Sequence, residues 1–240
     1  MAAPLAPPAL FTPRAVPLTH AFAWFEAAMR MFKRAPLRWC VLGAITLGSE
    51  LLLESVPGIG VAAAAVIVPV VECGMLLGAA AVDRAAPLQI RFAWAAFKAP
   101  APALAAIVLS ALFVSAIESL VAYALTGANL LVDPTDARMT PSALLVVGAA
   151  ATLASLPFVF VPLTVLLEHA AFGHAFATSA RAFSLNLAPL LLFGLLSLAL
   201  IMIGLMAFWV GLIAVLPLLA AASYAAWKDI YGGGTVLRPS

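Results

Sequence analysis

From Leu187 to Trp227 the chain runs forty-one residues without an Asp, Glu, Lys, Arg, His, Asn or Gln. As a single helix rising about 1.5 Å per residue it would be roughly 60 Å long, about twice the hydrocarbon thickness of a bilayer. A soluble helix keeps one face wet, and this stretch has no wet face. It therefore reads as two membrane helices with a turn near Met206 to Gly211. The whole chain agrees: 65% of its 240 residues are hydrophobic and 9% are charged, whereas soluble domains are charged at about a quarter of their positions.

The expected fold class is all-α, a polytopic bundle of six transmembrane helices in three hairpins, each preceded by an amphipathic interfacial helix on the cytoplasmic side. Residues 1–18, with five prolines up to Pro17 and no apolar core of a signal peptide, read as a disordered cytoplasmic tail. The membrane domain is expected over 19–231, with spans at about 39–56, 61–82, 103–125, 142–167, 187–206 and 210–227, and 232–240 as a short flexible tail.

Three linking segments carry apolar stripes at helical spacing. They are Phe22, Phe25, Met29 and Phe32 in the first, Ile90, Trp94 and Phe97 in the second, and Phe172, Phe176 and Phe183 in the third. Trp39 is expected in the aromatic belt at the entry of the first span. The Pro57-Gly58-Ile59-Gly60 sequence is a tight turn, and Pro157 and Pro162 should bend the fourth span near its far end.

With the N-terminus in the cytoplasm and six spans, eleven basic residues fall on that side: Arg14, Arg30, Lys33, Arg34, Arg38, Arg84, Arg91, Lys98, Arg181, Lys228 and Arg238. Only Arg138 falls opposite, in a loop that also holds Asp133 and Asp136. This is the positive-inside pattern, with both termini in the cytoplasm. The expected partners are the bilayer itself and anionic lipid of the cytoplasmic leaflet, with a membrane-protein partner or a second copy possible. The thinly spread basic residues give no support for nucleic-acid binding.

Four glutamates within spans stand out: Glu50 and Glu54, Glu72, and Glu118. A charge at mid-bilayer costs about 2.5–3.5 kcal/mol even on lenient scales, so these side chains should face the bundle interior or a wet cavity. They could form a cation or proton site, with Glu50, Glu54 and Glu118 clustered in the outer half and Glu72 nearer the inside. The structural alternative has Glu54 and Glu118 snorkelling outward and Glu50 and Glu72 acting as protonated interhelical hydrogen-bonders. Gly74 and Gly78 form a GxxxG, and Ser115 and Ser119 a second small-residue ridge; both suit close helix packing.

His169 and His174 lie beside Glu168, but a five-residue spacing turns the histidines about 140° apart on a helix, so one face cannot present both to a metal. Cys40 and Cys73 sit at different depths and read as reduced packing residues. No nucleophile–base order, phosphate loop or cofactor motif is present, so no enzyme activity, metal or cofactor is expected.

The run from Pro157 through Pro162 to Glu168-His169, then Ala175-Phe176, Ser179, Asn186 and Leu190 to Gly194, closes on Tyr224 and on Trp227 to Tyr231. With Ala23 to Trp39 and the Pro57 to Gly60 turn, these residues resemble a family of six-span proteobacterial inner-membrane proteins of unknown function. Where members of that family tend to carry His-Gly after the fourth span, this chain has His169-Ala170. The resemblance implies the six-span architecture and no particular activity. Two functional classes follow from the residues: a non-enzymatic scaffold or modulator of envelope components, and a small transporter or channel for a cation or proton-coupled solute that uses the intramembrane glutamates.

Overall fold

The computed structural model describes residues 12–57, 59–130, 138–207 and 209–232. The expected tail over 1–11, Gly58, the loop residues Asp133 and Asp136, and the C-terminal 233–240 with Arg238 lie outside the described residues. Among the described residues every regular element is helical: α1 His20–Arg34, α2 Pro36–Glu54, α3 Gly60–Asp83, α4 Ala101–Thr126, α5 Pro141–Ser155, α6 Val161–Leu167, α7 Phe172–Leu185, α8 Leu187–Met206 and α9 Leu212–Tyr231. Six helical stretches are long and apolar enough to cross a membrane, α5 and α6 together making the fourth. The protein is a multi-pass membrane protein.

The forty-one-residue run breaks where expected. α8 ends at Met206, Trp209 takes a left-handed φ of 66°, and α9 starts at Leu212. A methyl on Gly211 would lie 2.8 Å from the Cα of Gly204. The hairpin closes only because both positions lack a side chain. The last span runs on to Tyr231, past the expected Trp227, since Lys228 and Asp229 are paired and do not end the helix.

The fourth span is interrupted between Leu156 and Phe160, in a short 3-10 turn after Ser155. Pro157 and Pro162 each remove a backbone donor and free the carbonyl one turn before. The Ser179 hydroxyl of α7 repairs the break: it donates to Pro157 O at 2.7 Å and accepts from Phe160 N at 3.3 Å. Beyond α6, His169 adopts φ 53° and the Ala170 N–H reaches back to Thr164 O. The left-handed position falls on the histidine, so Ala170 needs no glycine there.

Three expectations change. The stretch 12–18, expected within a disordered tail, is pinned to the bundle: Arg14 N donates to Ile230 O at 3.0 Å, Val16 N to Asn186 Oδ1 at 2.8 Å, and Asn186 Nδ2 to Arg14 O at 2.9 Å. Its proline-rich backbone lacks donors of its own, and a buried asparagine supplies both roles. Trp39, expected in the belt, is fully buried and donates to Met31 O at 3.1 Å. The second linking segment is not an α-helix but two 3-10 turns, Ile90–Trp94 and Ala96–Lys98, which lie along α3 with Ile90, Trp94 and Phe97 exposed.

α1 packs along α9 through Ala21, Trp24, Ala28 and Met31. The Phe22–Met29 flank, a quarter-turn away, stays exposed. The main core therefore sits at the end of the bundle that carries α1 and the described basic residues other than Arg138, called the basic end below.

Candidate functional site

α3 packs against α4, α4 against α5, α5 against α8, α8 against α9, and α9 back against α3. This ring borders a partly open cavity of ≈ 380 Å³ lined by all five helices and by the 156–162 break. Small-molecule sites occupy about 300–1,000 Å³. Lining positions such as Leu76, Ile107, Phe193 and Ser223 lie about 9–12 Å along their helices from the basic end, and Pro69, Val114 and Leu216 about 20 Å, at 1.5 Å per residue. The cavity is centred near the mid-plane of a membrane.

On α3, Pro69, Glu72, Cys73 and Leu76 share one face at i, i+3, i+4 and i+7 and turn it into the cavity. Glu72 stands open into that space rather than packed against a neighbour, although the ring surrounds it. Pro69 withholds a donor from the carbonyl of Ala65, leaving one more acceptor on this helix. The walls are otherwise apolar, formed by side chains such as Leu76, Ile107, Phe158 and Phe193.

The remaining polar lining consists of hydroxyls: Ser110, Thr152, Ser155, Ser197 and Ser223. Three of them donate to their own helix, Ser110 to Ile107 O, Ser155 to Thr152 O and Ser197 to Phe193 O, each at 2.8 Å. A hydroxyl whose proton is so engaged offers the cavity only lone pairs. Among the described residues, no Lys, Arg or His lines the space. The cavity therefore presents mainly acceptors around one carboxylate, with the Thr152 and Ser223 hydroxyls uncommitted, and is complementary to a cation or a donor-rich solute.

The other glutamates flank this site toward the opposite end of the bundle. Glu50 lies within electrostatic reach of Glu54 and Glu118, and Glu72 within reach of Glu50. The four side chains thus form one acidic set across α2, α3 and α4. None of the four makes a side-chain hydrogen bond among the described residues, so the interhelical hydrogen bonds expected for Glu50 and Glu72 are not present. Packing loosens on this side: α2 has no buried residue after Leu47, and α4 none between Ser110 and Ala122.

The Gly74 end of the ridge faces the first 3-10 turn, and the Gly78 end faces Leu88 and the Trp39 ring of α2. A methyl on Gly74 would meet the backbone of Phe92 and Ala93, and one on Gly78 would come 2.7 Å from Leu88 Cδ1. Ser115 and Ser119 are half-buried on α4. His169 is exposed at its turn, and Cys40 and Cys73 are both free.

Two polar hubs at the basic end escaped sequence reasoning. Asp229 is 3% exposed and receives Arg14 Nη2 at 2.8 Å and Trp24 Nε1 at 3.0 Å, with His20 Nδ1 at 2.7 Å. Asp83 receives Lys228 Nζ at 2.6 Å and the Tyr224 hydroxyl at 2.9 Å. An available signal was the placement of Asp229 between Trp227 and Ile230, on a segment too apolar to leave a carboxylate unpaired. No known protein family matches the chain, nor does any curated protein or solved structure.

Proposed function

We propose that this is a small carrier or channel of the bacterial inner membrane, with cytoplasmic termini, which takes a cationic or donor-rich solute into the mid-bundle cavity beside Glu72. The observation that carries the reading is the composition of that cavity: one carboxylate, five hydroxyls of which three have their protons engaged, apolar walls and, among the described residues, no cationic side chain. A scaffold has no need of an open space of ≈ 380 Å³ at mid-membrane. The loosened α2 and α4 half, with Glu50, Glu54 and Glu118, supplies an acidic approach from the periplasmic side. Such a field concentrates cations and repels anions. Orientation rests on the ten described basic residues at one end against Arg138 at the other. The cavity holds no histidine or lysine to activate its serines, which favours binding and passage over enzymatic chemistry.

The scaffold reading keeps one favourable observation, the exposed apolar flank formed by Phe22, Met29, Ile90, Trp94 and Phe97 at the basic end. Such a flank suits the headgroup boundary of an anionic leaflet, and it is compatible with a carrier.

Thiol accessibility decides between the two. In a background lacking Cys40 and Cys73, cysteine at position 72 should react with a membrane-impermeant thiol reagent added from the periplasmic side. Tetramethylammonium should slow the labelling of cysteine at position 110 or 197 where Glu72 is retained, and a sulfonate of similar size should not. A position 72 that labels from neither side of the membrane would overturn the carrier reading.

A further inference from the structure

The described residues leave five buried side-chain atoms without a hydrogen-bond partner, and all of them belong to the junction of α6, α7 and α9. They are both carboxylate oxygens of Glu168, Nε2 of His174, the indole nitrogen of Trp227 and the phenol oxygen of Tyr231. Glu168 closes α6, His174 lies in the first turn of α7, and Trp227 and Tyr231 occupy the last turns of α9. Trp227 and Tyr231 stack with centroids 6.2 Å apart, 9% and 4% exposed. The Trp227 indole is the nearest donor to Glu168 yet falls outside hydrogen-bond geometry. Tyr231 lies within electrostatic reach of Glu168 and beside Thr164 and Thr178. His174 shares the α7 face of Thr178, whose hydroxyl bonds its carbonyl at 2.8 Å.

Buried groups in folded proteins are almost always paired, so five orphans in one place require an explanation. The neighbours cannot supply it. The Thr164 hydroxyl donates to Phe160 O and the Thr178 hydroxyl to His174 O. The other charges on α9 are engaged, Lys228 with Asp83 at 2.6 Å and Asp229 with Arg14 at 2.8 Å and His20 at 2.7 Å. None of the described ion pairs includes Glu168. The titratable group within electrostatic reach of it is Tyr231 from α9. The central cavity stops short of the junction, at Ser223 on α9 and Pro162 on α6.

We propose that this junction is a proton-binding site, in which Glu168 takes up a proton from the aqueous side of the basic end. One O–H bond forms on a carboxylate oxygen, and the group passes from an anion to a neutral acid. The acid then offers a donor where the carboxylate offers none, and the phenol oxygen of Tyr231, within electrostatic reach, is a lone pair that can accept it. Burial pushes the Glu168 pKa up to about 7, against a smaller opposing influence of the Trp227 indole, so occupancy changes across neutrality. The inference stands apart from the carrier reading: a cavity that takes no solute leaves this titration in place.

The test is a pH titration of the full chain in lipid vesicles, followed by difference infrared spectroscopy of the protonated carboxyl C=O stretch. The wild-type protein should show a carboxyl signal with a midpoint of about 7. That signal should be retained in a Glu50→Gln/Glu72→Gln double variant, which removes the span glutamates nearest the cavity, and should vanish when Glu168→Gln is added to it. Tyr231→Phe, which removes one acceptor for the new O–H, should move the midpoint while leaving the signal in place. The proposal is overturned if the neutral-range signal persists after Glu168→Gln is added to the Glu50→Gln/Glu72→Gln variant, or if that double variant shows no such signal. Should Glu168→Gln fail to fold, the double variant decides by itself, because loss of the signal there assigns it to the span glutamates.

Discussion

Replacing Asp229 by alanine should release the segment before α1 and weaken the whole basic end. Three side-chain partners lose their acceptor: Trp24 Nε1 at 3.0 Å, His20 Nδ1 at 2.7 Å and Arg14 Nη2 at 2.8 Å. Trp24 is fully buried, so its N–H is orphaned at a cost of about 1–3 kcal/mol. Arg14 and His20 are 47% and 28% exposed and turn back to water, so each contributes only about 0.5 kcal/mol. The total is about 2–4 kcal/mol, a fall of roughly 5–15 °C in Tm for a chain of this size. The sharper assay is limited trypsin digestion after Arg14. In the wild type that bond is held by contacts to Asp229, Ile230 and Asn186. If about 2 kcal/mol of the loss falls on local opening, cleavage there should quicken on the order of 30-fold. Asp229→Asn keeps an acceptor for Trp24 and should lose about half as much stability. Equal cleavage rates in the wild type and Asp229→Ala, within about twofold, would show that the aspartate does not hold the strap, and the reasoning would fail.

Four further outcomes follow from the packing and the polar network. Gly74→Val places a side chain against the backbone of Phe92 and Ala93 and should cost at least about 1–3 kcal/mol in thermal unfolding. Gly48→Ala, where an added methyl meets nothing within 4 Å, should instead stabilise by about 0.5–1 kcal/mol. Ser179→Ala leaves Pro157 O and Phe160 N unpartnered and should lower stability by about 1–3 kcal/mol in the same assay. Glu168 binds more protons folded than unfolded between its ordinary pKa of 4.5 and its folded value of about 7, so its contribution to stability falls as pH rises through that window. After discounting for partial exposure the loss is about 1–2 kcal/mol; Glu168→Gln should flatten the slope, and an unchanged slope in unfolding scans across that range would contradict it.

The six spans could be read from sequence because a bilayer imposes a length and a polarity that no partner chain has to complete. Pro157 and Pro162 announced a break because the missing donors belong to the prolines themselves. Glu50, Glu54, Glu72 and Glu118 stood out for the same reason: a carboxylate in hydrocarbon is costly whatever lies around it. Tertiary structure alone determined what surrounds them. Which of the four opens into a cavity depends on the order in which α3, α4, α5, α8 and α9 close their ring. That order is set by contacts between residues far apart in the chain. Trp39 and Trp24 look like any tryptophan at a membrane entry until α3 and α9 bury them. Arg14 and Asp229 lie 215 residues apart, and nothing local to either names the other. Hydrophobicity is a property each residue carries alone and sums along the chain, so the sequence by itself decided that this protein crosses the membrane six times. Pairing of buried polar groups is a property of two residues in space, so only the folded bundle could match donors with acceptors and leave Glu72 and Glu168 without them.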